Sequence, residues 1–411
     1  MRVRIILGLV MMAAIAVPAA AQIGLPQVSL PPLGGLGERI GQTIGQTVDV
    51  GQRTARELVR QRATRLERLV RLNRDAIELD ASGVPARRGE LLLVDPAPDA
   101  LPAVAGAGFA VTGRERIASL DLEVARLALP PGLSLAKAEA LLTRLVPDAI
   151  VTADQLHFQS GGAVTAMSAA GAGRAAARSP ITAPVGVIDG AAGAGQAVAA
   201  SRGFAQGAPI PSDHGSAMAS LLGQAGATRI WIADVYGRDP AGGSALAITR
   251  ALGWLTGEGV KVISISLVGP QNPLLAKAVA AAQRQGATIV AAVGNDGPAA
   301  PPAYPASYPG VIAVTGVDAR NRPLIEAGRA LHLDYAAPGA DMLAAGKSGK
   351  WSRVRGTSYA VPLVAARAAA ALAIGGNVVA RLDREAVDLG ASGPDKAFGR
   401  GLLCGSCRRT R

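Results

Sequence analysis

From Pro184 onward, short apolar, β-rich runs alternate with stretches whose apolar positions recur at helical spacing. The runs cover 185–188, 230–235, 260–266 and 288–293; residues 216–222, 245–256 and 273–285 read as helices. Continuous apolar strands each followed by a helix predict an α/β fold, a doubly wound, mostly parallel sheet with helices on both faces. Functional residues of such a sheet are expected at the carboxyl ends of its strands.

A different pattern precedes it. Strand-like runs at 90–94, 109–113, 122–129 and 149–152 and helical spacing at 98–105 and 133–145 give the order βαββαβ, a small ferredoxin-like α+β unit over 88–158. Residues 53–75 have helical apolar spacing at Leu58, Leu66, Leu69 and Leu72, with eight arginines over much of the remaining surface. Two readings fit: a solvated amphipathic helix, or a basic helix on anionic lipid. The lack of an aromatic anchor favours the first. Residues 53–87 thus form a basic helix and connector. Residues 22–52, rich in Gly, Pro and Gln, read as a flexible leader, and 159–183, mostly Gly and Ala, as a linker. In that linker 171–176 matches a dinucleotide fingerprint by letter, but no strand precedes it.

The first 21 residues carry Arg2 and Arg4, an apolar run too short to span a membrane comfortably, and a small-residue site at Ala19-Ala20-Ala21. This is the pattern of a secretory signal peptide, and it predicts export to the periplasm or the medium. Cys404 and Cys407, in the tail 404–411, then favour a tight disulfide. The net charge of +12 leaves anionic partners open and selects none. No nucleic-acid motif is apparent, and no integral membrane segment is expected after signal removal.

Three short motifs fall where the strand-end rule wants chemistry. Asp189 closes the buried run at 185–188, His214 opens a helix within Asp213-His214-Gly215-Ser216, and Ser358 lies in Gly356-Thr357-Ser358-Tyr359-Ala360 before an Ala-rich helix. A serine hydroxyl needs a base to become a nucleophile, and a carboxylate fixes the imidazole that serves it. The chain has three histidines, and neither His157 nor His332 has a comparable setting. Asn295, after the strand at 288–293, offers an N–H to a developing oxyanion, with the Ser358 backbone N–H as second donor. An α/β-hydrolase does not fit: its order is Ser, acid, His, and Ser358 lacks the Gly of the elbow.

The order Asp, His, Asn, Ser with these flanking residues resembles the subtilisin family over about 184–403. The stretches at 264–270, 304–314, 336–339 and 398–403 are similar to further family segments. The resemblance implies a serine endopeptidase acting through an acyl-enzyme, with catalytic Asp189, His214 and Ser358 and no cofactor. It also implies that Ser266, Leu267 and Val268 bind substrate as an added strand, opposite a wall formed by Ala292, Val293 and Gly294. Those small walls predict room for a medium or large apolar residue before the cut, or, through Asp296, a basic one. The 88–158 unit resembles the family's propeptide, an intramolecular chaperone and inhibitor, which implies a self-processing precursor cut between about Phe158 and Pro184. Residues 154–159 read as an extended tail able to lie in the cleft.

Three departures stand out. Gly190 replaces the usual Thr or Ser after the aspartate, Tyr359 stands where Met is frequent, and no acidic calcium loop is evident, so no metal site is expected. The alternative from another class is a non-enzymatic binding or scaffold protein on the same fold.

Overall fold

Seven parallel strands build the large sheet of this computed structural model, which describes residues 36–160 and 179–408, with side chains from residue 54 onward. The expected signal peptide and most of the linker fall outside the described residues. The chain divides into two units, 1–52 and 53–411. In the first, the backbone is helical from Leu36, the start of a helix that ends at Leu72. Glycines at 37, 41 and 45 depress helix propensity, which is why that stretch reads as leader in the sequence.

In the second unit the strands of the large sheet lie in the order Tyr335–Pro338, Ile312–Val317, Thr288–Ala292, Val262–Ile265, Val185–Asp189, Ile230–Asp234 and Val198–Gly203. Every neighbouring pair is parallel. Connections run to opposite sides from Val185–Asp189, so a crevice opens at its carboxyl end, beside Val262–Ile265. Side chains alternate between two cores. Val185, Val187 and Val262 face the helices Asp213–Gln224 and Val361–Ile374, while Ile188, Ile263 and Ile265 face Ala245–Gly257 and Pro273–Arg284. Residues 357–374 are apolar enough to cross a membrane by composition, yet 72% of that window is buried in the first core. The edge strand Val198–Gly203 escapes sequence reading because its residues are half or fully exposed and carry no apolar run.

The N-terminal part of this unit has the predicted order of elements. Its antiparallel sheet runs Ala110–Ile117, Leu122–Ala128, Pro85–Val94, with both Ile150–Gln155 and a short added strand, Ile77–Leu79, on the far side of Pro85–Val94. The run Leu91-Leu92-Leu93-Val94 is apolar throughout because both faces of the sheet are covered. Leu91 and Leu93 pack under the unit's own helices, Ala100–Gly106 and Leu135–Leu145. Leu92 and Val94, with Ile117, Leu120 and Val124, pack on the helices Ala245–Gly257 and Pro273–Arg284. Each side chain buried there contributes up to roughly 1.5–3 kcal/mol. Polar contacts fix the docking: Arg250 Nη2 to Glu115 Oε1 at 2.5 Å, Ser119 Oγ to the Gly253 carbonyl at 2.5 Å, and Leu246 N to Asp154 Oδ1 at 2.9 Å.

The expected linker is ordered at both ends. Gln159 and Ser160 lie in the crevice, and Ile181 bridges to Ala227 and is buried, so the first core begins before Pro184. Cys404 and Cys407 are disulfide-bonded, with Cα atoms 5.1 Å apart.

Candidate active site

Asp189 ends its strand fully buried. His214 stands in the first turn of Asp213–Gln224, whose cap is Ser212, with Oγ accepting the Gly215 N–H at 2.9 Å. Gly215 lets this helix reach the strand end, since a Cβ there would run into the Gly190 carbonyl. The approach sets His214 Nδ1 2.8 Å from Asp189 Oδ2. His214 Nε2 is buried and has no hydrogen-bond partner among the described residues. Tyr359 lies beside the imidazole, ring centroids 5.5 Å apart. Burial, then the charges of Asp189 and Asp213, pushes its phenol up to about 12, so it stays neutral.

Ser358 lies in the 3-10 turn Thr357–Tyr359, immediately before Val361–Ile374, and is fully buried. Asn295 follows Gly294, whose φ of +89° turns the chain after Thr288–Ala292. Asn295 Oδ1 accepts the Thr357 N–H at 2.9 Å, which aims Nδ2 into the crevice. Nδ2 donates to the carbonyl oxygen of Ser160, and the Ser358 N–H donates to the same oxygen at 3.3 Å. Ser358 Oγ contacts this oxygen as well and lies 2.7 Å from Ser160 Oγ. One peptide carbonyl therefore meets a hydroxyl and two N–H donors, and Tyr359, next in sequence to that serine, lies beside the carboxylate-paired imidazole.

The residues leading to that carbonyl lie extended between two edges. On one side, Phe158–Gln159 pairs antiparallel with Leu267–Val268, and the Ser160 N–H donates to the Ser266 carbonyl at 3.1 Å. On the other, the His157 N–H donates to Gly243 O at 2.7 Å, Tyr236 Oη donates to His157 O at 2.9 Å, and Leu156 bridges to Ser244. His157 is fully buried, with neither ring nitrogen hydrogen-bonded among the described residues, and burial pushes its imidazole down to about 4.

Ser266, Leu267 and Val268 thus contact the tail directly. Ala292 and Val293 turn their side chains into the two cores. Gly294 faces Val268, whose Cγ1 lies 3.4 Å from where a glycine Cβ would stand. At Gly190 the space of a side chain is taken by Ser212 Oγ, and Gln159 Nε2 reaches past it to donate to Asp189 Oδ1 at 2.8 Å. Asp296 is paired with Arg62 at 3.1 Å and Arg65 at 2.7 Å, and Leu58 packs on Gly297. One face of the arginine-rich helix therefore sits beside Asn295. Among the described residues no cluster of His, Cys, Asp and Glu has the makings of a metal site.

Gln159 falls within the tail expected to lie in the cleft, whereas Ser160, Ser212 and Tyr236 carry no sequence signal for this site. Ser160 opens a Gly/Ala run that reads as linker, and the others meet the site only through folding.

Comparison with known proteins gives the same fold. Residues 199–401 match the model of the Subtilase family, a span that contains His214, Asn295 and Ser358 and begins after Asp189. Subtilisin DY of Bacillus licheniformis is 34% identical over 170 residues, 39% of this chain and 61% of that protein. Subtilisin BL of Lederbergia lenta is 33% identical over 150 residues, 36% of this chain and 55% of that protein. The chain thus spans less than two thirds of these relatives. Among solved structures, fervidolysin from Fervidobacterium pennivorans, a keratinolytic enzyme related to subtilisin, superposes with a TM-score of 0.62 at 17% identity, over 78% of this chain and 61% of that one.

Proposed function

We propose that this chain, a subtilisin-like protein of the Subtilase family, is a serine endopeptidase exported as a precursor that cuts itself after Ser160. The observation that carries the reading is the Ser160 carbonyl, held by Asn295 and the Ser358 N–H against the Ser358 hydroxyl. Ser358 Oγ attacks the carbonyl carbon and His214 Nε2 takes its proton. Asp189 holds the imidazole through Nδ1 and stabilises its charge. Asn295 and the Ser358 N–H hold the oxyanion. The C–N bond to Gly161 then breaks, and His214 returns the proton to the leaving amine. Water, activated by the same histidine, releases the acyl group. Peptides and proteins bind in place of residues 156–160, as a strand between 243–244 and 266–268.

On this reading 1–21 is the export signal and the domain at 88–158 is the propeptide, which inhibits through its tail until it is degraded. A scaffold protein on the same fold is the competing reading. A buried imidazole with a free nitrogen beside a buried serine has no structural purpose in a scaffold. The test is expression without residues 1–21, as wild type and as Ser358→Ala, followed by mass measurement and N-terminal sequencing. Wild type should give a fragment beginning at Gly161 that reacts with a fluorophosphonate, and the variant should stay full length and unlabelled. An intact, unlabelled wild-type chain overturns the reading.

A further inference from the structure

Two contacts in the crevice bear on which peptides the site accepts, given that it is a protease as proposed above. The first is the hydrogen bond from Gln159 Nε2 to Asp189 Oδ1 at 2.8 Å. Asp189 is fully buried, and its other oxygen serves His214. Oδ1 otherwise receives only the Gly190 N–H, at 2.7 Å, among the described residues. The second is Val268, which stands across Gly294 with Cγ1 3.4 Å from the glycine's missing Cβ. It narrows the gap between its own strand and Gly294, next to the Asn295 that holds the Ser160 carbonyl, and Ser160's own side chain is a single hydroxymethyl.

We infer that the enzyme selects extended polypeptides with glutamine as the second residue before the cut and a small residue directly before it, Asp189 reading the first and Val268 limiting the second. A buried carboxylate oxygen with one donor gains from a second, because hydrogen bonds to ions in dry surroundings are the strong ones. A primary amide of glutamine length supplies that N–H. Glutamate has the same shape but brings a second carboxylate against Asp189, and alanine leaves the oxygen with its single donor. Since this bond holds the group that orients His214, the glutamine acts as a positioning residue supplied by the substrate. Its effect belongs mainly in kcat, where the imidazolium forms, and less in KM. The small side chain before the cut follows from volume: Val268 fills space that a bare glycine would leave to a large apolar side chain.

The test uses the self-processed protein and matched peptides of the form His-Phe-Xaa-Yaa-Gly. With serine at Yaa, glutamine at Xaa should exceed alanine by about 10-fold in kcat/KM, chiefly through kcat, and glutamate by about 100-fold. With glutamine at Xaa, serine and alanine at Yaa should exceed phenylalanine, and in Val268→Gly that preference should shrink by at least about 10-fold. Glutamate equal to glutamine overturns the role of Asp189, and a wild-type enzyme that prefers phenylalanine overturns that of Val268. Either result leaves the protease reading standing, since cleavage has then been seen. A preparation that cuts none of the peptides and does not react with a fluorophosphonate sinks that reading, and this inference with it.

Discussion

Asn295 and Ser160 are joined by a hydrogen bond from the amide Nδ2 to the carbonyl oxygen, made across 135 residues of chain. In the proposed reaction the acceptor is the atom on which negative charge gathers when Ser358 attacks. Asn295→Ala should therefore lower kcat by about 10²–10³ with little change in KM. That magnitude is carried over from subtilisin, which the chain resembles. A kcat within twofold of wild type on peptide substrates would remove Asn295 from the mechanism.

Gly253 and Ile117 meet where the N-terminal sheet packs on Ala245–Gly257: a Cβ on Gly253 would strike Ile117 Cγ2. Gly253→Ala in the full-length Ser358→Ala chain should weaken the docked state by about 1–3 kcal/mol, despite the better helix propensity of alanine. Ile117→Ala removes the struck atom, so the double variant should lose less than the sum of the two single ones. Denaturant unfolding of the four chains checks this, and strict additivity would place the contact elsewhere.

The buried His157 gives the docked tail a pH dependence. Its imidazole is held down, to about 4 from 6.5, because burial disfavours the charged form. Between those values the released tail binds a proton that the docked tail does not. Docking should therefore be strongest above about pH 6.5 and weaken as pH falls toward 4, by at most about 3 kcal/mol. Asp154, raised by burial, works in the opposite sense, so the measurement is the difference between wild type and His157→Phe. Release of the N-terminal unit with the same pH profile in both chains would exclude His157 as its origin.

Arg62 and Arg65 hold the basic helix to Asp296 through part-exposed ion pairs, with Arg65 60% exposed. Such pairs are worth at most about 1 kcal/mol each and are screened by salt. Replacing both arginines by alanine should speed release of the N-terminal region by less than about 30-fold at low salt and by much less near 1 M. A salt-independent effect would point to the Leu58 contact with Gly297 instead.

Asp189, His214, Asn295 and Ser358 are legible in the sequence because each stands at the end of an apolar strand or the start of a helix, where a polar side chain needs a reason. The βαββαβ unit is legible for a similar reason: its apolar runs are long and clearly bounded. Ser160 is not, because its surroundings are small residues whose local preference is for no structure, and tertiary pairing with Ser266 overrides it. The edge strand Val198–Gly203 has no apolar face to announce it. The orientation of Val268 toward Gly294, and of Ser212 into the space beside Gly190, depends on backbone courses that no local pattern encodes.

The tail runs from Leu156 to Ser160 between two edges, and the sheet that docks on the helices ends at Gln155. In the proposed precursor, holding on and blocking are thus done by different lengths of chain. An N-terminal unit that stops at Gln155 would keep every helix contact while leaving the crevice open, a chaperone without a plug. Conversely, a free peptide copying only 156–160 would enter the crevice yet lack the sheet's grip, and would behave as an ordinary, easily displaced product. If the unit inhibits as proposed, its potency is a matter of tethering: a weakly bound end kept at high local concentration by a distant, unreactive surface.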